Sequence, residues 1–145
     1  MEYWVLQASP KLYRVIDALA NPGAIREWIV ARYFNRIAVG DEFAFWVSGS
    51  QSGVYAFGVV TEPTELKVAE PDPYWMGPDD GSPEHLIGIE ITDRLLPHYI
   101  PRSKIKADPA LANSLIIRMP GGGNPFPLND VQWQAIQSHR TRVMG

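Results

Sequence analysis

Three histidines, His85, His98 and His139, are the only imidazoles in the sequence, and cysteine is absent. No two histidines stand at HxxxH or HExxH spacing, so no helix face carries a metal-binding pair. Without cysteine there are no thiol nucleophiles, disulfides or zinc–thiolate sites. Asp72, Asp79 and Asp80 cluster, but not at the spacing of a calcium loop. Ser48, Ser50 and Ser52 miss the GxSxG pattern, because Gln51 holds the central position between Gly49 and Gly53. Ser103 and Lys106 match SxxK, a pattern short enough to arise by chance. Gly121, Gly122 and Gly123 lack the Gly-Lys-Ser/Thr that completes a phosphate loop. No nucleophile, base and orienting group fall together, so we expect no catalytic residue, no metal and no cofactor. The enzymatic alternative, acting on RNA or a small molecule, would use His98 or Asp93 as acid or base.

Aromatic side chains carry the stronger signal. Five tryptophans stand among 145 residues. Trp4 sits on an opening strand and Trp133 on a closing helix, both ordinary core positions. Trp28 precedes Arg32 in a short extended segment. Trp46 ends an apolar strand beside a Ser/Gly loop, and Trp75 lies in a proline-rich loop. Flat aromatic faces can stack a planar base, at about 1–3 kcal/mol per base. They can also cage a methylated cation, or simply fill the core.

The elements that must position these residues follow from periodicity and punctuation. Residues 3–7 read as a strand, with Trp4 and Leu6 on one face. Ser9 and Pro10 read as the start of a helix, with an apolar stripe of Leu12, Val15, Ile16 and Leu19. Residues 43–47 and 54–61 read as a hairpin around the loop 48–53, and Gly58 as a bulge or a close approach. Residues 67–83 form a long Pro/Gly-rich loop holding Tyr74, Trp75 and Met76. The alternation of Ile87, Ile89 and Ile91 marks another strand, and residues 115–119 read as one more. Asn129 and Gln132 form a capping box for a terminal helix buried through Val131, Ala135 and Ile136, with Trp133 near its edge. Short strands mixed with a few short helices predict a compact barrel with peripheral helices.

A length of 145 residues and a 46% hydrophobic content predict one domain, 1–145, with a core that needs no staple. The N-terminus has no basic stretch before an apolar run, and no apolar run nears the ~20 residues of a membrane span. The expected location is cytoplasmic, with no membrane partner. The net charge of −3 hides an asymmetry. Residues 62–93 hold nine acids and one base, whereas residues 94–145 hold seven bases and two acids. One reading is an anion-facing C-terminal third, and the other is ordinary solvated charge.

The order Tyr3-Trp4-Val5-Leu6, Ser9-Pro10, Trp28, then VGDEFAFWVSG and GVYAFG resembles the EVE domain family over nearly the whole chain. That family belongs to the PUA-like group and is similar to the YTH readers of methylated adenine in RNA. The resemblance implies an α+β fold: a PUA-like small mixed β-barrel of about five to six strands with peripheral short helices. It also implies non-catalytic recognition of a modified nucleobase in DNA or RNA, a methylated or hydroxymethylated cytosine or a methylated adenine, in an aromatic cage. Trp28 then matches one cage wall, and Trp75 holds the place of the second, with Tyr74 beside it. Trp46 forms the floor or rim. Ser9, Ser48 and backbone groups near Ile29 and Gly49 contact the base edge. Arg32, Lys104, Lys106 and Arg118 hold phosphates. Gln7 stands where a lysine is common in the relatives, which removes one expected phosphate contact. Implied partners are modified DNA or RNA and a restriction-type nuclease or RNA-processing protein. In the interaction-module alternative, loop 67–83 contacts a nuclease or toxin partner.

Overall fold

The computed structural model describes residues 1–144. In chain order it comprises β1 (Tyr3–Ala8), α1 (Val15–Ala20), β2 (Glu27–Ile29), β3 (Glu42–Val47), β4 (Gly53–Lys67), β5 (Glu84–Arg94) and β6 (Ile100–Pro101). Then come α2 (Arg102–Ala107), α3 (Leu115–Arg118), a 3-10 turn (Pro120–Gly122), β7 (Phe126–Leu128) and α4 (Asp130–Met144). The fold is mixed α+β. Seven strands run in the order β2-β5-β4-β3-β1-β7, with β6 pairing on β4. No helix among the described residues is long and apolar enough to cross a membrane.

Alternation along β1 and β3 gives the sheet two buried faces. Trp4, Leu6, Ala8, Phe43, Phe45 and Val47 pack into a first core with α1 residues Val15, Ala18 and Leu19. Val5, Ala44 and Trp46 turn the other way, into a second core with Ile105 of α2, Ile116 of α3, and Trp133 and Ile136 of α4. A strand buried on both faces reads as a continuous apolar run, which is why FAFWV shows no polar alternation.

β1 and β3 are parallel, from Tyr3 opposite Glu42 to Ala8 opposite Val47. Parallel neighbours need a long crossover, here residues 9–41. One buried carboxylate fixes where that crossover returns. Asp41 accepts from the Glu2 N–H at 3.0 Å, the Trp4 indole N–H at 3.0 Å and the Ala38 N–H at 2.9 Å. Its own backbone N–H donates to the Ala38 carbonyl, closing the turn that launches β3. Gly58 is the predicted close approach. The β4–β5 register shifts beside it, and a Cβ there would lie 2.3 Å from the Glu90 carbonyl oxygen and 2.5 Å from the Phe43 ring. The capping box is formed: the Gln132 N–H donates to Asn129 Oδ1 at 2.8 Å, and the Asn129 N–H donates to Gln132 Oε1 at 3.0 Å.

Several sequence expectations are corrected. Seven strands replace five to six, because the short strands β6 and β7 carry prolines that hide them. The sheet is not closed by strand pairing: no ladder joins its end strands β2 and β7. Their flanks meet through one backbone hydrogen bond, from the Ala31 N–H to the Asn124 carbonyl at 2.8 Å. The first helix starts at Val15, not Pro10. Arg14 N–H donates to the Tyr74 carbonyl and Met76 N–H to the Leu12 carbonyl, so pairing with a distant loop extends the chain where local capping predicted helix. Residues 115–119 are not a strand. Ser114 accepts from Ile117 and Arg118, and the β-branched run forms a helical turn whose Ile116 and Ile117 enter the second core. α4 buries Trp133, Ile136 and His139, while Val131 is 67% exposed.

Replacing Asp41 by alanine removes the acceptor of three N–H donors, of which the Trp4 indole is buried, and an unmet buried donor costs about 1–3 kcal/mol. Urea unfolding of Asp41→Ala should show a loss of about 1–3 kcal/mol. A loss below about 1 kcal/mol would remove Asp41 from this role.

Candidate functional site

The C-terminal end of β1 runs past β7, whose pairing stops at Val5. This leaves the backbone of Gln7 open along one edge. Asn124 occupies that edge as a surrogate strand. Its Oδ1 accepts the Gln7 N–H at 2.6 Å, and its Nδ2 donates to the Gln7 carbonyl at 2.9 Å. The same carbonyl accepts the Trp28 indole N–H at 3.3 Å. Trp28 is thus seated where the two ends of the open sheet meet.

Apolar contacts fix the plane of that indole. Tyr13 meets it edge-on at 5.3 Å and 90°, and Phe45 at 5.0 Å and 77°. Trp28 remains only partly buried against the first core. Arg32 and Gln7 both anchor on the turn that carries Asn124. Arg32 Nη2 donates to the Gly123 carbonyl at 3.2 Å, and Gln7 Nε2 donates to the Pro120 carbonyl at 3.0 Å. The guanidinium also lies over the rings of Tyr33 and Phe126. Two atoms of these side chains, Gln7 Oε1 and Arg32 Nε, are buried without a hydrogen-bond partner. Buried polar atoms in that condition are uncommon and call for a water or a ligand.

The Pro/Gly-rich segment docks beside this seat. Because β4 extends to Lys67, the loop proper is 68–83. Trp75 forms a β-bridge with Tyr13, and Asp72 accepts the Tyr13 hydroxyl at 2.8 Å. Burial, then the Asp72 hydrogen bond and charge, push the Tyr13 hydroxyl well above the usual phenol range, so it stays a donor at neutral pH. Tyr74 lies 6.3 Å from Tyr13 ring to ring, and its hydroxyl accepts from Asn21 Nδ2. The Trp75 indole N–H donates to the Pro78 carbonyl, and the ring is 42% exposed.

The structure gathers some of the sequence candidates and separates others. Trp28 and Arg32 flank the seam, and Tyr74 joins through Tyr13. Ser9 turns the chain there, its carbonyl accepting from Leu12 and Tyr13. Ser48 lies on the end of β1, its N–H and hydroxyl both donating to the Ala8 carbonyl, and Gly49 faces Pro10. Ile29 is exposed on β2 opposite Leu86. No ring contact joins Trp75 to Trp28 among the described residues. Trp46, 2% exposed, packs in the second core, on the opposite face from Trp28. Lys104 and Lys106 ride on α2, which covers that same second core. Arg118 is exposed at the end of α3, two residues before Pro120. Asp93 is paired with Arg140, and His139 with Asp108 at 2.8 Å. Among the described residues no group of three or more His, Asp or Glu could share a metal ion. Two shallow cavities, about 280 and 220 Å³, lie elsewhere, one lined by Arg36, Leu128 and Gln132, the other by Ile25, Arg26 and Ile89.

Sequence reasoning missed Tyr13 and Asn124, and it read Gln7 only as an absent lysine. A pairing across 117 positions, as between Gln7 and Asn124, leaves no local signal.

The sequence model of the EVE domain matches residues 2–139. No curated protein matches the sequence. Among solved structures, a Leishmania major protein superposes with a TM-score of 0.72 at 18% identity, covering 98% of this chain and 96% of its own. A Pseudomonas syringae protein gives 0.70 at 18% identity, covering 95% and 99%. Human THYN1, solved in complex with DNA containing 5-methylcytosine, gives 0.67 at 14% identity, covering 95% and 96%.

If Asn124 pins the seam, Asn124→Ala should speed hydrogen exchange at the Gln7 amide and cost about 1–3 kcal/mol of stability. An unchanged exchange rate at Gln7 would show that the edge is held by something else.

Proposed function

The chain belongs to the EVE domain family, and from that membership we propose that it recognises a modified nucleobase of DNA or RNA at the Trp28 seam. The observation that carries this reading is a partly buried indole fixed in plane and direction by the Gln7 carbonyl, Tyr13 and Phe45 at the seam of the open sheet. A base stacks on the Trp28 face, and its polar edge meets the groups that border the seam. A base lacking the matching donor and acceptor leaves them unmet, which discriminates more sharply than contact with a methyl group. The added methyl or hydroxymethyl group rests against the apolar Tyr13 side of the seat. Human THYN1, of like fold, was solved with methylcytosine DNA, which supports a methylated cytosine as the first ligand to try.

The seat is narrow, since the rings of Tyr13 and Phe45 already lie 5.3 and 5.0 Å from that of Trp28. A base therefore enters as the loop 68–83 lifts, and Tyr74 and Trp75 ride on it as a lid. Trp46 is left to the second core in this reading, as its burial requires. Ser9 and Ser48 border the seat through the end of β1.

The test is a titration of 5-methylcytidine and cytidine against the protein and its variants, read by calorimetry. Trp28→Ala should weaken binding of the modified nucleoside about 5- to 150-fold, the worth of about 1–3 kcal/mol of stacking. Trp46→Phe should leave it within about twofold. Equal binding by Trp28→Ala and the parent would end the proposal.

A further inference from the structure

The seat described under the proposed function is electrostatically one-sided, and this bears on what kind of nucleic acid enters it. Acids crowd the Tyr13 side. Glu27 precedes Trp28 in β2 and accepts the Glu70 N–H at 2.8 Å, and Asp72 holds the Tyr13 hydroxyl. Glu70, Asp79 and Asp80 are exposed on the same loop. Between residues 68 and 83 there is no base. The nearest cation of β4, Lys67, lies 3.6 Å from Glu27 and 4.0 Å from Glu65, and so is already committed. Arg14 is paired with Asp17 at 2.9 Å, which leaves Lys11 and Arg26 as the cations of this stretch outside an ion pair among the described residues. The Asn124 side is the reverse. Arg32 anchors on Gly123 by a neutral carbonyl, and neither Arg32 nor Arg118 forms an ion pair among the described residues.

Resting on the base-seat reading, we infer that the seat takes a base at the end of a single strand, or a free nucleoside, and disfavours one inside a strand or duplex. A base within a strand carries phosphates on both flanks. One flank meets Arg32 and Arg118. The other is driven toward Glu70, Asp72, Asp79 and Asp80, where like charges repel it. A terminal base avoids that side altogether. The number of phosphates engaged is then one or two, and the salt dependence shallow, about −0.7 in log–log slope for each phosphate of a single strand.

The experiment compares four ligands: 5-methylcytidine, and three short single strands carrying 5-methylcytosine at the 5′ end, the 3′ end or the middle. Each is titrated at two salt concentrations against the parent and the triple variant Glu70→Gln, Asp79→Asn, Asp80→Asn. The asparagines keep the acceptors used by the Gly81 and Ser82 N–H groups. For the parent, the nucleoside and one terminal strand should bind, and the central strand about tenfold or more weakly. The triple variant should bind the nucleoside unchanged. It should bind the central strand about three- to tenfold better than the parent at low salt, a gain that shrinks as salt screens the charge. If the parent binds the central strand as tightly as the terminal ones, or the variant recovers nothing, the inference falls and the seat stands. If the nucleoside is not bound at all, the base-seat reading falls and takes the inference with it.

Discussion

The Asp41 carboxylate holds the parallel pairing on which the molecule depends. β1 and β3 are neighbours in space but 33 residues apart in sequence, and a parallel pair has no hairpin to set its register. Asp41 sets it by accepting from Glu2 and Trp4 at the start of β1 while accepting from Ala38 in the turn before β3. A slip of one residue would exchange the two cores, since every side chain on β1 would change face. With the register fixed, Trp4, Leu6 and Ala8 belong to the first core and Val5 to the second. Gln7 then arrives at the far edge with its backbone unpaired. That backbone receives both Asn124 and Trp28, so the seat at one end of β1 is set by a carboxylate at the other.

The crossover that Asp41 terminates also supplies the seat. Residues 9–41 contain Tyr13, Trp28 and Arg32, while Gln7, the 120–124 turn and loop 68–83 complete the seam. The open sheet makes this possible. A closed barrel would have paired the ends of β2 and β7 and left no edge at Gln7. Here the ends meet through one backbone bond and a set of side chains, and two polar atoms remain unsatisfied. The proposed site lies where the regular pairing runs out.

Much of the architecture was legible in the sequence because it is local. The apolar run 43–47, the loop 48–53 and the return strand gave the hairpin. Gly58 announced the close approach, and Asn129 with Gln132 announced α4. The motif GDEFAFW pointed to the family, but not to what Asp41 does. A charged residue next to Glu42 reads as a turn, and only its two distant donors, Glu2 and Trp4, reveal a buried hub. The failures share that cause. Ser9-Pro10 carries a sound local helix signal that pairing with residues 74–76 overrides. The Leu-Ile-Ile run after Ser114 has strand composition but turns as a helix to fill the second core. Trp28 was legible as an unusual tryptophan. Its partners were not, because Gln7, Tyr13 and Asn124 are brought together from three separate stretches of chain.

The five tryptophans provide a direct test of where a ligand sits, since each indole N–H gives its own signal in a nitrogen–proton spectrum and each lies in a different environment. Trp4 is bonded to Asp41, Trp28 to the Gln7 carbonyl and Trp75 to Pro78, while Trp46 and Trp133 lie in the second core. Titrating 5-methylcytidine into labelled protein should move the Trp28 indole signal saturably. The Trp46 and Trp133 signals should stay in place. Saturable shifts confined to Trp46 or Trp133, with Trp28 still, would put the ligand on the other face of the sheet and contradict this account.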